Sequence, residues 1–278
     1  MIYALILALL LFSNCTNSHK EYKIREEKPL AMFDTLNKIN NEESTIIPVY
    51  KLKVSRRIPH DTLAFTQGLF FHNGFLYEST GQYGKSSLRK INPINGEILK
   101  KIDLEPYLFA EGIALYKNKI YMLTWQNNTC LVFDIHTFKK IDEKPFIGEG
   151  WGITNFDENT FIQSDGTNIL KIIDPDNLQI LRIIQVFADK IPVSNINELE
   201  RISDDIWANI WMSDTIAIID KNSGKVRFYV DASELRKFIP PSYNIDVLNG
   251  IAYDPKRNTI YLTGKLWPFI FEVEVLHR

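Results

Sequence analysis

"TQGLFFHNGFLYEST" (66–80) and "AEGIALYKNKIYMLTW" (110–125) share one form. Each opens on a small or polar residue, passes a glycine, runs through an apolar stretch, turns, and returns as a second apolar run. The form recurs at "GWGITNFDENTFIQSDG" (150–166), "NELERISDDIWANIW" (197–211) and "LNGIAYDPKRNTIYLTGKLW" (248–267). Anchored on Gly68, Gly112, Gly152, Glu200 and Gly250, the steps are 44, 40, 48 and 50. Two more strands follow each pair. In the first unit they are "SSLRKI" and "GEILKKIDL", joined by the turn "NPING" (92–96). Four strands per repeat at a period in the forties is the pattern of a β-propeller.

The fifth unit tests this reading. After "NTIYLTG" it has only "FIFEVEV" (269–275) before the chain ends, so one strand is missing. An unassigned strand, "PVYKLKVSRRI" (48–58), precedes the first unit. Closing a ring removes exposed sheet edges, so residues 48–58 are expected to complete the last blade. The fold expected is all-β, a five-bladed β-propeller over residues 47–278 whose ring is closed by its N-terminal strand. A two-sheet sandwich is the alternative, but it gives no reason for a near-constant step.

The N-terminus reads differently. "MIYALILALLLFSNC" carries an apolar run from Ile2 to Ser13 that ends near a cysteine. A membrane-spanning helix needs about 20 apolar residues, so this is read as a signal peptide (1–14). The ending "LFSNC" resembles a bacterial lipobox, with Cys15 as the lipidated residue. No Lys or Arg precedes the run, and Asn14 stands where a small residue is usual. The expected address is extracytoplasmic, on a bacterial membrane through the lipid anchor. Residues 15–46 are polar and charged and read as a tether. Cys130 is then left without a partner, so no disulfide is expected.

Composition narrows the function. Lys and Arg total 32 against 34 Asp and Glu, with no basic stretch suited to nucleic acid. The five His are scattered, without HExxH, so a zinc site is not indicated. No GxSxG, phosphate loop or GxGxxG fingerprint is present. "DPDN" (174–177) reads as a turn, with a Ca²⁺ site as the other reading.

In a propeller the first strands line the central channel. The repeat therefore gathers Gln67, Glu111, Trp151, Asn197 and Asn249 around one axis. Trp125, Trp211, Lys265 and Trp267 follow second strands that return to the same end. A tryptophan-walled pocket would raise the pKa of Glu111 by desolvation and suit it to take and give a proton near neutrality. In the plainer reading the tryptophans plug the channel and Glu111 pairs with Lys265.

The stretches "HDTLAFTQGL", "LYESTGQYGKSSLR", "FAEGIAL", "LTWQNNTCLVFD", "GEGWGIT", "IQSDGTNIL", "NELERI", "ANIWMSDTIAIID", "LNGIAYDP" and "LTGKLWP" resemble, in order from His60 to Glu274, the plant and bacterial type of glutamine cyclotransferase. The resemblance implies a five-bladed propeller without metal or other cofactor. It implies an acyltransferase that converts the N-terminal glutaminyl residue of peptides or proteins to pyroglutamyl, with release of ammonia. It places the catalytic carboxyl on Glu111. Substrate-binding neighbours fall on Phe65, Gln67, Phe109, Trp125, Trp151, Asn197, Trp211 and Lys265. A Trp N–H, Gln67, Asn197 or Lys265 could serve the oxyanion. A monomer is expected. Two rival readings are a non-catalytic propeller that binds peptides or partner proteins, and a sugar- or lactone-acting propeller hydrolase. The second would want an axial cluster of metal-binding acids, and the openings supply only Glu111 besides Glu198 and Glu200.

Overall fold

The computed structural model describes residues 46–276. The signal peptide at 1–14, Cys15 and the tether up to residue 45 lie outside the described residues. The described chain is all-β apart from one short 3-10 helix, Ser233–Phe238.

Strand β1 spans Val49–Pro59. Four antiparallel strands follow as β2 (Thr66–His72), β3 (Phe75–Thr80), β4 (Ser87–Ile91) and β5 (Ile98–Asp103). A second meander runs β6 (Ala110–Tyr116), β7 (Lys119–Thr124), β8 (Thr129–Asp134) and β9 (Lys140–Pro145). The third comprises β10 (Ile153–Asn155), β11 (Phe161–Gln163), β12 (Ile169–Ile173) and β13 (Ile180–Gln185). A two-stranded ribbon, β14 (Phe187–Ala188) with β15 (Ile191–Pro192), separates it from the next. The fourth is β16 (Ile196–Ile202), β17 (Asp205–Ile210), β18 (Thr215–Asp220) and β19 (Val226–Asp231). The last begins with β20 (Leu248–Asp254), β21 (Thr259–Gly264) and β22 (Phe269–Leu276).

The missing fourth strand of that last unit is β1. It runs antiparallel to β22 from the pair Lys51↔Leu276 to the pair Pro59↔Phe269. It also pairs in parallel with β19 at Val49–Lys51, which joins the fourth and fifth units into one eight-stranded sheet. The spacing of repeats did not anticipate this second pairing.

Packing follows from the strand pattern. Inner and middle strands are almost wholly buried, whereas the outer strands β5, β9 and β13 are largely exposed. That is why "GEILKKIDL" and "FKKIDE" are rich in lysine. Five apolar clusters lie at the five junctions of neighbouring units. The last of them joins Leu69 and Leu76 of the first unit to Tyr261 and Ile270 of the fifth, with Ile58 of β1 between. Cys130 is a free thiol in the cluster between the second and third units. Burial pushes its pKa up to about 12, so it behaves as a small core residue.

The first strands of the units, β2, β6, β10, β16 and β20, pack beside one another in sequence, and β20 returns to β2. Their approach is close enough to require glycine. A Cβ on Gly68 would lie 2.6 Å from the amide nitrogen of Ile113, and one on Gly152 would lie 2.1 Å from the carbonyl oxygen of Asn197. The fourth strand departs from the sequence spacing here. Its position equivalent to the glycines is Glu198, not Glu200. The bulge between Ile196 and Leu199 matches those between Ala110 and Ile113 and between Leu248 and Ile251. In an extended chain, side chains two apart share a face, so pattern alone did not separate Glu198 from Glu200.

Candidate active site

At one end of the ring of first strands lies a cavity of about 380 Å³. It is lined by Phe65, Gln67, Phe109, Glu111, Trp125, Trp151, Asn197, Trp211 and Lys265, together with Met212 and Asp246. The first nine are the residues named from sequence, and the fold brings all nine to one cavity. Trp267 and Asn249 do not line it. Trp267 is fully buried and gives its indole N–H to the Asp246 carbonyl at 2.9 Å. Asn249 is fully buried and donates from Nδ2 to the carbonyl of Thr66 at 3.0 Å. A larger cavity, about 530 Å³, sits between the second and third units and has no titratable residue in its wall. It offers no groups for proton chemistry.

Glu111 is the second residue of β6, and its side chain is 5% exposed. Gln67, at the matching position of β2, donates from Nε2 to Glu111 Oε1 at 2.8 Å. This is the only hydrogen bond to that carboxyl among the described residues. Ser79 Oγ holds the Glu111 backbone by donating to its carbonyl at 2.5 Å. Burial pushes the Glu111 pKa well above the ordinary range, the Lys265 charge opposes this, and the Glu149 charge adds to it. Burial pushes Lys265 in the other direction, downward. Glu111 therefore holds a proton to higher pH than an ordinary glutamate. Lys265 makes no direct ion pair with Glu111 among the described residues. Its ammonium lies 4.7 Å from the centre of the Phe65 ring.

The walls are interlocked aromatics. Phe109 packs edge-on against Phe65, Tyr83 and Trp125, with ring centres 6.3, 5.4 and 5.6 Å away. Trp151 packs against Trp211 at 5.8 Å. The Trp125 and Trp151 N–H groups do not point to a waiting ligand. Both donate to Glu149 Oε2, at 2.9 and 3.0 Å. This removes them from the candidate oxyanion donors. The Asn197 Oδ1 atom, by contrast, is buried with no hydrogen-bond partner, an acceptor left for a bound donor. Among the described residues, no group of three or more His, Cys, Asp and Glu is placed to hold a metal ion.

Sequence reasoning missed Glu149, Met212 and Asp246. Glu149 had a signal, since it stands between two glycines immediately before Trp151 in "GEGWG". Met212 and Asp246 had none, because they reach the cavity from a turn and from a loop outside the repeated strands.

The sequence model of the family described as glutamine cyclotransferase matches residues 29–275. The glutaminyl-peptide cyclotransferase of Arabidopsis thaliana is 37% identical over 235 residues, covering 82% of this chain and 72% of the plant protein. The crystal structure of Myxococcus xanthus glutaminyl cyclase superposes with a TM-score of 0.77 at 34% identity, over 82% of this chain and 98% of the bacterial one. The chain belongs to the glutamine cyclotransferase family.

Proposed function

We propose that the chain converts N-terminal glutaminyl residues of peptides or proteins to pyroglutamyl residues, releasing ammonia, with Glu111 carrying the proton and no metal taking part. Family membership supports the activity. One observation carries the mechanism: a single buried carboxyl with an upward-shifted pKa faces the cavity, fixed by one amide, with its remaining capacity free. The five units closed by β1 support reading the fold as a five-bladed propeller whose axial cavity is the active site.

The chemistry needs no protein nucleophile. The substrate's own α-amine attacks its γ-amide carbon, so the reaction is already intramolecular, and the aromatic walls fix the folded rotamer. The new C–N bond forms as Glu111, in its carboxylate form, takes a proton from the attacking nitrogen. The tetrahedral oxyanion is stabilised by the Lys265 charge between the aromatic walls. Collapse breaks the bond between the side-chain amide carbon and its nitrogen, and Glu111 returns the proton to the departing amine, which leaves as ammonia. Asn197 Oδ1 accepts from the substrate's amide or amine.

A Gln-initiated dipeptide tests this. Ammonia is expected to appear with the wild-type chain, equally with and without a chelator. Binding of the dipeptide without ammonia release would instead favour a peptide-binding scaffold. Loss of activity on chelation would remove metal independence alone.

We propose in addition that Cys15 carries the lipid anchor, on the strength of "LFSNC". Cys15→Ser is expected to abolish incorporation of labelled palmitate in cells. Equal labelling of the mutant would remove the anchor.

A further inference from the structure

The segment Gly148-Glu149-Gly150-Trp151-Gly152 is built around its acid. Gly148 has φ +92°, a conformation that favours glycine. A Cβ on Gly150 would lie 2.8 Å from Leu123 Cβ, and one on Gly152 would meet the Asn197 carbonyl. Glycine at these positions lets the chain lie flat against its neighbours while Glu149 and Trp151, two apart, turn toward one another. The Glu149 carbonyl is itself fixed by Gln163 Nε2 at 3.1 Å.

One oxygen of the Glu149 carboxylate takes both indole N–H groups, from Trp125 after the second unit's β7 and from Trp151 just before the third unit's β10. Gln126 Nε2 reaches the second oxygen at 3.5 Å. All three donors are neutral, and Glu149 forms no ion pair among the described residues. Its charge therefore stands uncompensated beside the cavity.

We propose that Glu149 is a positioning residue of this site: its carboxylate clamps the two tryptophan walls in the geometry that receives the glutaminyl side chain. The inference rests on the proposed cyclisation. The Trp151 hydrogen bond leads in holding Glu149 below the usual carboxylate range, so it stays ionised at neutral pH. Its charge is one of two acting on Glu111, raising it against Lys265. Asp246 acts on Lys265 from the neighbouring loop, and Asp165, itself paired with Lys171 at 2.8 Å, faces Glu149.

Glu149→Gln in the full-length chain separates positioning from mere support. Its amide oxygen can still face both indoles, but without the charge each bond is weaker, and the other end of the amide becomes an –NH₂ facing Gln126. KM for a Gln-initiated peptide is expected to rise about 10-fold. Losing the negative neighbour lowers the Glu111 pKa, so the acid limb of kcat/KM moves to lower pH, by on the order of half a unit. In the wild type, tryptophan emission is expected to titrate in the acid range as Glu149 takes a proton, and this titration vanishes in the variant. Trp125→Phe keeps the carboxylate and removes one donor. It should raise KM in the wild-type background and change little more on top of Glu149→Gln. A folded Glu149→Gln chain with wild-type KM, an unmoved acid limb and an unchanged emission titration would overturn the proposal. If Glu149→Gln does not fold, a Trp125→Phe chain with wild-type KM and emission titration would overturn it instead. If the wild type releases no ammonia from any Gln-initiated peptide, the cyclisation reading fails, while the emission titration still decides whether the clamp exists.

Discussion

The ring of first strands carries buried carboxyl groups at two levels, and they are held in opposite ways. Glu111 receives one hydrogen bond, from a side chain, and opens on a cavity. Glu198 and Glu200 are capped by the fold. The two oxygens of Glu198 accept the backbone N–H groups of Leu69 and Ile251 at 3.3 and 2.9 Å. Glu200 accepts the N–H of Tyr253 at 3.0 Å and the Thr154 hydroxyl at 3.2 Å. Inner-edge strands carry N–H groups with no ladder partner, and buried donors must find one. Glu198 and Glu200 serve that need, while Glu111 keeps capacity for a substrate. All three are raised by burial. A shifted pKa alone thus does not single out Glu111, and the state of its lone pairs does.

Breaking each group should therefore give a different loss. Glu111→Gln keeps size and shape, so turnover should fall about 10²- to 10⁴-fold with little change in melting temperature, measured by steady-state ammonia release and a thermal melt. Glu198→Gln turns an –NH₂ toward a backbone N–H, and denaturant titration should show a loss of about 1–3 kcal/mol. Lys265→Ala removes the charge that opposes the rise in Glu111 and that, in the proposed mechanism, supports the oxyanion. Turnover should fall about tenfold or more, and the acid limb of kcat/KM should move to higher pH.

The smallest effect sharpens the contrast through pH. Burial raises Glu200 to about 8 from an ordinary 4.5. The folded chain thus holds a proton that the unfolded chain releases. The resulting stabilisation is complete below pH 4.5 and is lost as pH rises through about 8. Melting temperature should fall between pH 5 and pH 9, on the order of a few degrees; Glu111 and Glu198 act in the same direction, so Glu200→Gln should lessen that fall. An identical slope in the variant would assign the dependence to other groups.

Much of the fold was legible because its cause is local and repeated. Glycine recurs where first strands nearly touch, and polar residues recur on outer strands, so period and strand count can be read directly. The role of β1 followed from a missing strand, but its parallel pairing to β19 left no mark in the repeat. Shifting the fourth anchor to Glu200 was a consequence of the two-residue alternation of a strand. Nine residues of the cavity were legible through convergence and resemblance. Trp267 was grouped with them by position after a second strand, yet its N–H is spent on the Asp246 carbonyl. The Glu149 clamp was not legible, because its meaning depends on Trp125, 24 residues away in sequence, and on indole orientations that no spacing reveals.

The most direct test sets Glu111→Gln beside Glu198→Gln in one ammonia-release assay on a Gln-initiated dipeptide, each normalised to folded protein by a melt. The account expects the first to melt like the wild type and release almost no ammonia, and the second to melt earlier yet turn over normally while folded. A folded Glu111→Gln chain with wild-type turnover, or a stable Glu198→Gln chain without it, would contradict the assignment of the proton to Glu111.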